Sequence, residues 1–209
     1  MTEAVIETDE DVAQGVAHLI AICPRMAAAQ QMTGPLPLRR RPDGFAQLLS
    51  AIVSQQVSVA AARAIWKRMQ TARLTGPRKI LWASDEELRA VGLSRQKIRY
   101  ARALAAARID YRALRMAPTD ESIDILTEVP GIGIWTAEVY AMFSLGRADV
   151  FAPDDLALQE GARLLYDLDA RPKPRVLREM ATTWSPWRSV AARQLWAYYH
   201  VIKSREGIA

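Results

Sequence analysis

Pro130, Gly131 and Gly133 lie between two stretches with helical periodicity, at about residues 120–128 and 134–145. Proline has no backbone N–H, and glycine allows tight turns that a Cβ would obstruct. The second helix begins with N–H groups that have no partner within the helix, at the positive end of its dipole. Because Gly133 has no side chain, a phosphate could approach these N–H groups closely. An ordinary corner between two helices, which uses glycine only to turn, is the alternative.

Two adjacent carboxylates, Asp154 and Asp155, follow Pro153 and precede a helical pattern at about residues 155–166. A proline followed by aspartates is a typical helix-start signal. We expect Asp154 to be the N-cap, which places Asp155 in the first turn, where the helix dipole favours negative charge. Such a carboxylate can stabilise a developing positive charge or orient a water molecule. Acidic residues are also common in first turns for structural reasons alone, and the spacing does not separate the two.

The hairpin and the carboxylates occur together in a known family. Residues 129–137, Val-Pro-Gly-Ile-Gly-Ile-Trp-Thr-Ala, resemble the helix-hairpin-helix of the DNA glycosylase superfamily, especially its AlkA-like branch of alkylated-base glycosylases. The resemblance covers about residues 40–202 and includes two further blocks in the same order, residues 51–58 and 184–196. The sequence is therefore similar to that of a compact glycosylase core.

The resemblance implies a role for each part of the hairpin unit. Gly131, Gly133 and Thr136 would bind the DNA backbone, and Asp155 matches the catalytic carboxylate of the superfamily. Cleavage of an N-glycosidic bond builds positive charge on the deoxyribose, which Asp155 would stabilise. Strand-nicking relatives carry a lysine at the position of Trp135, and an indole cannot act as a nucleophile. The resemblance thus implies an enzyme without lyase activity, which leaves an abasic site.

A polar pair, Gln55-Gln56, interrupts an apolar helical pattern, which indicates either a tip that meets a ligand or a simple polar helix end. The resemblance places both glutamines at the DNA. It implies that Gln56 fills the gap left by a flipped nucleotide, which offsets part of the cost of unstacking.

Tryptophans at helical spacing are usually core residues. The resemblance nevertheless implies that Trp135 and Trp196 line a base pocket, and it leaves Trp184 and Trp187 to packing. Tyr140 is a further pocket candidate, next to the position where the family has an aromatic residue and this chain has valine. We expect Arg188 to pair with an acidic residue near the pocket, which the sequence alone does not name.

Few residues of the chain are suited to bind metals. A single cysteine, Cys23, excludes an internal disulfide and a four-cysteine iron–sulfur cluster, and the two histidines lack zinc-site spacing. The resemblance implies only an optional Na⁺ or K⁺ ion on the backbone carbonyls of Thr127, Val129 and Ile132. We therefore expect that no cofactor is required.

The amino-acid composition indicates what kind of partner the protein binds. The 209 residues are 50% hydrophobic and carry a net charge of +5, with 28 basic and 23 acidic residues. Such a balance permits a large core and suits a polyanionic partner. Because the sequence contains no recognisable signal peptide or long apolar run, we expect a cytoplasmic, nucleoid-associated monomer that binds damaged double-stranded DNA and no membrane.

Apolar periodicity predicts an all-α fold of about ten helices without strands. The resemblance implies one glycosylase domain, residues 1–209, with two helical lobes and an active-site cleft between them. One lobe would comprise residues 45–150, including the hairpin at 129–133, and the other would comprise residues 1–44 plus 151–209.

The resemblance therefore implies a monofunctional DNA-3-methyladenine glycosylase II-type enzyme in base excision repair. It would flip out and hydrolytically release alkylated bases such as 3-methyladenine and 7-methylguanine. Two alternatives remain open, a glycosylase for another lesion such as uracil or hypoxanthine and a non-catalytic DNA-binding hairpin module. The lesion ranking, the preference for the opposite base, the oligomeric state and the control of expression lie beyond the sequence.

Overall fold

The computed structural model describes residues 3–205, and most of them are helical. In this part of the chain, the one β-type pairing is an isolated antiparallel bridge between Val5 and Arg147. The prediction of an all-α fold is confirmed. Each helix among residues 3–205 is too short or too polar to cross a membrane.

In chain order, the α-helices are α1 (Asp9–Ile22), α2 (Pro24–Thr33), α3 (Phe45–Ser54), α4 (Val59–Thr71), α5 (Pro77–Trp82), α6 (Asp85–Ala90), α7 (Arg95–Ala106), α8 (Tyr111–Met116), α9 (Thr119–Thr127), α10 (Ile134–Tyr140), α11 (Leu156–Tyr166), α12 (Pro174–Ala181) and α13 (Arg188–Arg205). A π-helical turn covers Ala141–Leu145, and a 3-10 turn covers Thr182–Trp184.

The chain divides into two compact units. The first unit comprises Met1–Arg40 and Ala141–Ala209, and the second comprises Arg41–Tyr140. The sequence analysis placed residues 141–150 with the hairpin, whereas this division assigns them to the first unit. The predicted cleft between two lobes stays a prediction.

Hydrogen bonds explain why residues 141–150 belong to the first unit. The Arg40 guanidinium donates to the carbonyl oxygen of Ser144 at 2.9 Å. The Ser189 hydroxyl contacts the carbonyl oxygen of Val150 at 3.1 Å, and the Ala148 N–H donates to the carbonyl of Ala4. These three contacts join the segment to both parts of the first unit.

Apolar residues at helical spacing form the core of the second unit. Leu48, Leu49 and Ile52 of α3 are fully buried, as are Leu88 of α6 and Leu104 of α7. Such spacing is the pattern from which the sequence analysis predicts an all-α fold.

Two short helices were not predicted. Helices α5 and α8 contain six residues each, which is less than two turns and too short for periodicity to be seen. Helix α5 begins with Pro77, and α8 is capped by Asp110, which accepts from the N–H groups of Arg112 and Ala113. Such caps are the available sequence signal for helices of this length.

In the first unit, α11 packs closely against α13. A Cβ on Gly161 of α11 would lie 2.7 Å from the carbonyl oxygen of Leu195 on α13. Glycine is therefore required for this approach, and Leu158 and Leu195 are fully buried beside it. The close packing allows a side chain of α13 to reach the start of α11.

The helix predicted at 134–145 is α-helical only as far as Tyr140. Residues 141–145 form a wider π-helical turn in which each residue is buried. The N–H of Arg147 donates to the carbonyl of Ala141 and closes this wider turn. Helical periodicity does not distinguish an α-helix from such a turn over five residues.

Candidate active site

Asp155 is the N-cap of α11, with an extended backbone at φ −72° and ψ 118°. Its Oδ1 accepts from the N–H groups of Ala157 at 2.9 Å and Leu158 at 3.0 Å. The prediction that Asp154 caps this helix is wrong, because α11 begins one residue later than expected and Asp154 is exposed. The rule for N-caps favours both aspartates equally, so the sequence could not choose between them.

Trp196 lies beside this carboxylate. Its indole Nε1–H donates to Asp155 Oδ1 at 3.1 Å, and its ring centroid lies 5.7 Å from that of Phe143. Three N–H groups thus converge on one carboxylate oxygen and fix its orientation. The structure brings together two of the predicted site residues, Asp155 and Trp196, and adds Phe143, which the sequence analysis did not single out.

Arg188 has the acidic partner that the sequence could not name. Its Nε donates to Asp149 Oδ1 at 2.6 Å, its NH2 group donates to the Asp149 carbonyl at 2.9 Å, and the Ser185 hydroxyl donates to Asp149 Oδ2 at 2.7 Å. Burial raises the pKa of Asp149, but the hydrogen bonds from Arg188 and Ser185 outweigh it and lower the pKa below its usual value. This ion pair joins the segment before Asp155 to the start of α13.

The hairpin between α9 and α10 has the geometry expected of its glycines. Gly131 has a φ of +96°, and a Cβ there would lie 2.4 Å from the ring of Tyr100. A Cβ on Gly133 would meet no atom within 4 Å, and Gly133 is exposed. Gly131 is therefore required by the fold, whereas the open space at Gly133 is available to a ligand.

Thr136 and Trp135 lie in the first turn of α10. Thr136 is buried, so its side chain offers little surface to DNA, and any contact there falls to the backbone N–H groups of the turn. Trp135 is 42% exposed. Because Trp135 belongs to the second unit and Asp155 to the first, their shared base pocket stays a prediction.

Tyr140 is buried and hydrogen-bonded in the second unit. Its hydroxyl oxygen accepts from the Gly44 N–H at 2.7 Å, and burial raises its pKa to about 12. The hydroxyl thus serves the packing between α10 and the start of α3. Its predicted place in the base pocket stays a prediction.

The turn between α3 and α4 carries the predicted glutamine pair. Gln56 is exposed and has a φ of +55°, which is uncommon for a residue other than glycine. Gln55 points elsewhere, because its Nε2 donates to the carbonyl oxygen of Gly131 at 2.8 Å. The structure therefore brings Gln55 to the hairpin and leaves Gln56 at the tip of the turn.

Tyr100 of α7 is a functional candidate that the sequence analysis missed, and Lys97 of the same helix makes a contact that the sequence does not indicate. The Lys97 ammonium donates to the carbonyl of Val53 at 2.7 Å, and burial lowers its pKa. Tyr100 packs against Gly131 and accepts from Gln96 Nε2 at 2.7 Å. The contacts of Lys97 with Val53 and of Tyr100 with Gly131 join segments far apart in the chain, so no local pattern could have revealed them.

The predicted cation ligands are neutral backbone carbonyls of the hairpin. The Val129 carbonyl accepts from the N–H of Ile132 at 3.0 Å, and a carbonyl oxygen has a second lone pair for a cation. Thr127 ends α9 within the same hairpin. Among residues 3–205, the side chains of His, Cys, Asp and Glu form no cluster that could hold a metal ion.

Comparisons with known proteins extend this picture. A family model described as "HhH-GPD superfamily base excision DNA repair protein" matches residues 49–187. The matched region contains the glutamine turn, the hairpin and Asp155, which are the elements described above.

Relatives were found among curated proteins and solved structures. DNA-3-methyladenine glycosylase 1 of Schizosaccharomyces pombe is 34% identical over 164 residues, which cover 74% of this chain and 72% of that protein. A DNA-3-methyladenine glycosidase from Bacillus halodurans has a TM-score of 0.82 at 33% identity, covering 98% of this chain and 95% of that one. The S. pombe 3-methyladenine DNA glycosylase Mag1, solved in complex with abasic DNA, has a TM-score of 0.77 at 30% identity, covering 88% of this chain and 95% of that one.

Proposed function

The chain belongs to the HhH-GPD superfamily of base excision DNA repair proteins, and we propose that it is a monofunctional DNA glycosylase that removes alkylated bases from duplex DNA. One observation carries the proposal. Asp155, at the position that resembles the catalytic carboxylate, caps α11 and is held by three N–H donors. The names of the relatives support alkylated bases such as 3-methyladenine as the substrates.

The hairpin binds the DNA backbone in this proposal. The N–H groups at the start of α10 face a phosphate, and the open space at Gly133 allows its oxygen to approach. Such contacts position the duplex without reading its sequence. Gln56 is exposed at the tip of its turn. Its side chain fills the gap that the flipped-out damaged nucleotide leaves in the base stack.

A methylated purine such as 3-methyladenine or 7-methylguanine carries a formal positive charge in DNA. An electron-rich indole attracts such a cation with about 0.5–2 kcal/mol, and Trp196, next to Asp155, supplies one ring. The family resemblance assigns the same role to Trp135. Neutral bases such as uracil would gain nothing from this attraction, which is why we favour alkylated bases.

Asp155 stabilises the positive charge that develops on the deoxyribose as the bond breaks. The C1′–N bond breaks, and its electron pair leaves with the base and neutralises the charge on the base. Water then adds to C1′ and loses a proton to Asp155 or to solvent. The products are a free base and an abasic site, and the strand stays intact because Trp135 replaces the lysine of strand-nicking relatives.

The proposal requires no cofactor. The backbone carbonyls of Thr127, Val129 and Ile132 would hold a Na⁺ or K⁺ ion, since neutral oxygens suit such ions, and the ion would supply positive charge that favours a bound phosphate. The single cysteine leaves no ligand set for an iron–sulfur cluster. A DNA substrate supports the proposed nucleoid-associated, cytoplasmic place of action, and we propose that the protein acts there as a monomer.

The experiment is to incubate the protein with methylated duplex DNA and with duplexes that contain uracil or hypoxanthine, and to identify released bases by chromatography. We expect free 3-methyladenine and 7-methylguanine, with strands that break only after alkaline treatment. Release of uracil or hypoxanthine alone would assign the enzyme to another lesion class. Tight DNA binding without any released base would indicate a non-catalytic module.

A further inference from the structure

We propose that Gln55 is a positioning residue that joins the Gln56 turn to the phosphate-binding hairpin, rather than a residue that contacts DNA. The inference rests on the proposed function, in which the hairpin binds a phosphate and Gln56 fills the stack. The inference adds that Gln55 connects the hairpin, where the phosphate binds, to the turn that carries Gln56. DNA held at the hairpin then meets Gln56 at a fixed distance and angle.

The link itself is a hydrogen bond within the second unit. Gln55 Nε2 donates to the Gly131 carbonyl at 2.8 Å across 76 positions of sequence. Gln55 is the C-cap of α3 with an extended backbone, whereas the next residue, Gln56, is in the left-handed region. This change of backbone direction turns Gln55 toward the hairpin and Gln56 outward.

Helix α7 supports the hairpin end of this link. The Tyr100 ring occupies the space where Gly131 has no Cβ, and the Tyr100 hydroxyl is fixed by Gln96 at 2.7 Å. The Gly131 carbonyl, which accepts from Gln55, therefore belongs to a backbone segment with little freedom to move.

The same helix supports the turn end. Lys97 lies three residues before Tyr100, on one face of α7, and its ammonium donates to the Val53 carbonyl at 2.7 Å in the last turn of α3. Lys97 thus holds the end of α3 while Gln55 holds the residue that follows it.

One side of the turn lies against open space. A pocket of about 250 Å³ there has Gln55, Gln56, Val57, Ile65, Lys97 and Tyr100 in its lining. Gln56 also keeps a backbone conformation that non-glycine residues disfavour. Hydrogen bonds from Gln55 and Lys97 are therefore needed to hold Gln56 in its position.

The test uses Gln55→Met, which keeps the length of the side chain and removes its donor. The readout is the fluorescence of 2-aminopurine placed beside an abasic site in duplex DNA, with protein at saturation. The difference between wild type and Gln56→Ala defines the signal of Gln56 insertion. We expect Gln55→Met to lose most of this signal while its affinity for abasic-site DNA changes by less than about threefold, because the hydrogen bond that is removed lies within the protein and not at the DNA.

A double variant separates positioning from direct contact. If Gln55 acts through Gln56, Gln55→Met causes no further change in a Gln56→Ala background, whereas two independent DNA contacts give additive effects. Gln70→Met, on the exposed face of α4, is the matched control and should behave as wild type. Thermal unfolding of each variant shows whether its fold is intact.

Each outcome decides the inference. Additive effects of the two substitutions, a full signal from Gln55→Met, or equal signals from wild type and Gln56→Ala would overturn it. None of these readouts requires base release, so a wild-type protein that binds abasic DNA but releases no base would contradict the proposed function alone.

Discussion

Asp155 connects the fold and the proposed chemistry through one carboxylate oxygen. Oδ1 caps α11 and also accepts from the Trp196 indole, so the proposed catalytic group is oriented by the helix that it starts. Asparagine retains an Oδ1 acceptor and is as good an N-cap as aspartate. The charge of this residue can therefore be removed while its structural role is kept.

Asp149 gives a prediction about pH at the same scale. The pKa of Asp149 is lower in the folded protein than in the unfolded chain, where it is about 3.9. The ion pair with Arg188 therefore stabilises the fold fully at pH values above about 3.9. This stabilisation is lost as the pH falls through the pKa of the folded state. We expect Asp149→Asn to have a lower free energy of unfolding than wild type at pH 7. This difference in the free energy of unfolding should be smaller at pH 3. Urea unfolding of both proteins at pH 3 and pH 7 measures this difference.

If wild type and Asp149→Asn differed in free energy of unfolding by the same amount at pH 3 and pH 7, this account of Asp149 would be contradicted. The control is Asp154→Asn, because Asp154 is exposed. This substitution should leave the free energy of unfolding within about 0.5 kcal/mol of wild type at pH 7, as is usual for surface sites.

At the scale of the element, the two hairpin glycines form a matched pair with opposite predicted effects. Gly131→Ala places a Cβ 2.4 Å from the Tyr100 ring at a φ of +96°, and we expect it to cost about 1–3 kcal/mol of folding free energy. Gly133→Ala meets open space, so the fold should tolerate it. The new methyl group would instead obstruct the phosphate, and we expect DNA affinity to fall about tenfold or more.

Thermal unfolding and DNA titration of both variants check this pair. Gly133→Ala that binds DNA as well as wild type would contradict the placement of a phosphate at this hairpin. Gly131→Ala with wild-type stability would contradict the contact between Gly131 and Tyr100.

The elements also show what a sequence can predict. Periodicity located the long helices, and cap residues located the start of α11 to within one residue, because Asp154 and Asp155 satisfy the same rule. The resemblance placed Gln55 at the DNA, whereas its hydrogen bond to the Gly131 carbonyl, 76 positions away, is known from the structure alone. A single sequence contains no local signal for such a pairing.

For the whole molecule, charge is distributed unevenly along the chain. All 28 basic residues follow Pro24, whereas five of the 23 acidic residues precede it. The acidic start of α1 carries Asp9, Glu10 and Asp11. A polyanion is therefore expected to bind elsewhere on the molecule.

The salt dependence of DNA affinity should come from contacts of basic side chains with phosphates. The hairpin should contribute nothing to this salt dependence. If three cations neutralise phosphates, the logarithm of affinity falls with a slope of about −2.7 against the logarithm of salt concentration. Gly133→Ala should weaken binding at every salt concentration without changing the slope, because the hairpin contact is made by neutral N–H groups. A slope that changes in this variant would contradict the backbone contact.

The fold class and the family followed from the sequence because helical periodicity and the hairpin are local patterns. The ion pair of Arg188 with Asp149 spans 39 positions, and the approach of α11 to α13 depends on Gly161. Both depend on how the helices pack, and only the structure provides that information.

The most direct test of the central claim is the single-turnover rate of 3-methyladenine release by wild type and Asp155→Asn. We expect the variant to fold and to bind abasic-site DNA normally, because its cap is retained, and to release the base at least about 100-fold more slowly, as when one charge-stabilising group is lost. An Asp155→Asn protein that releases 3-methyladenine at the wild-type rate would contradict the role of this carboxylate.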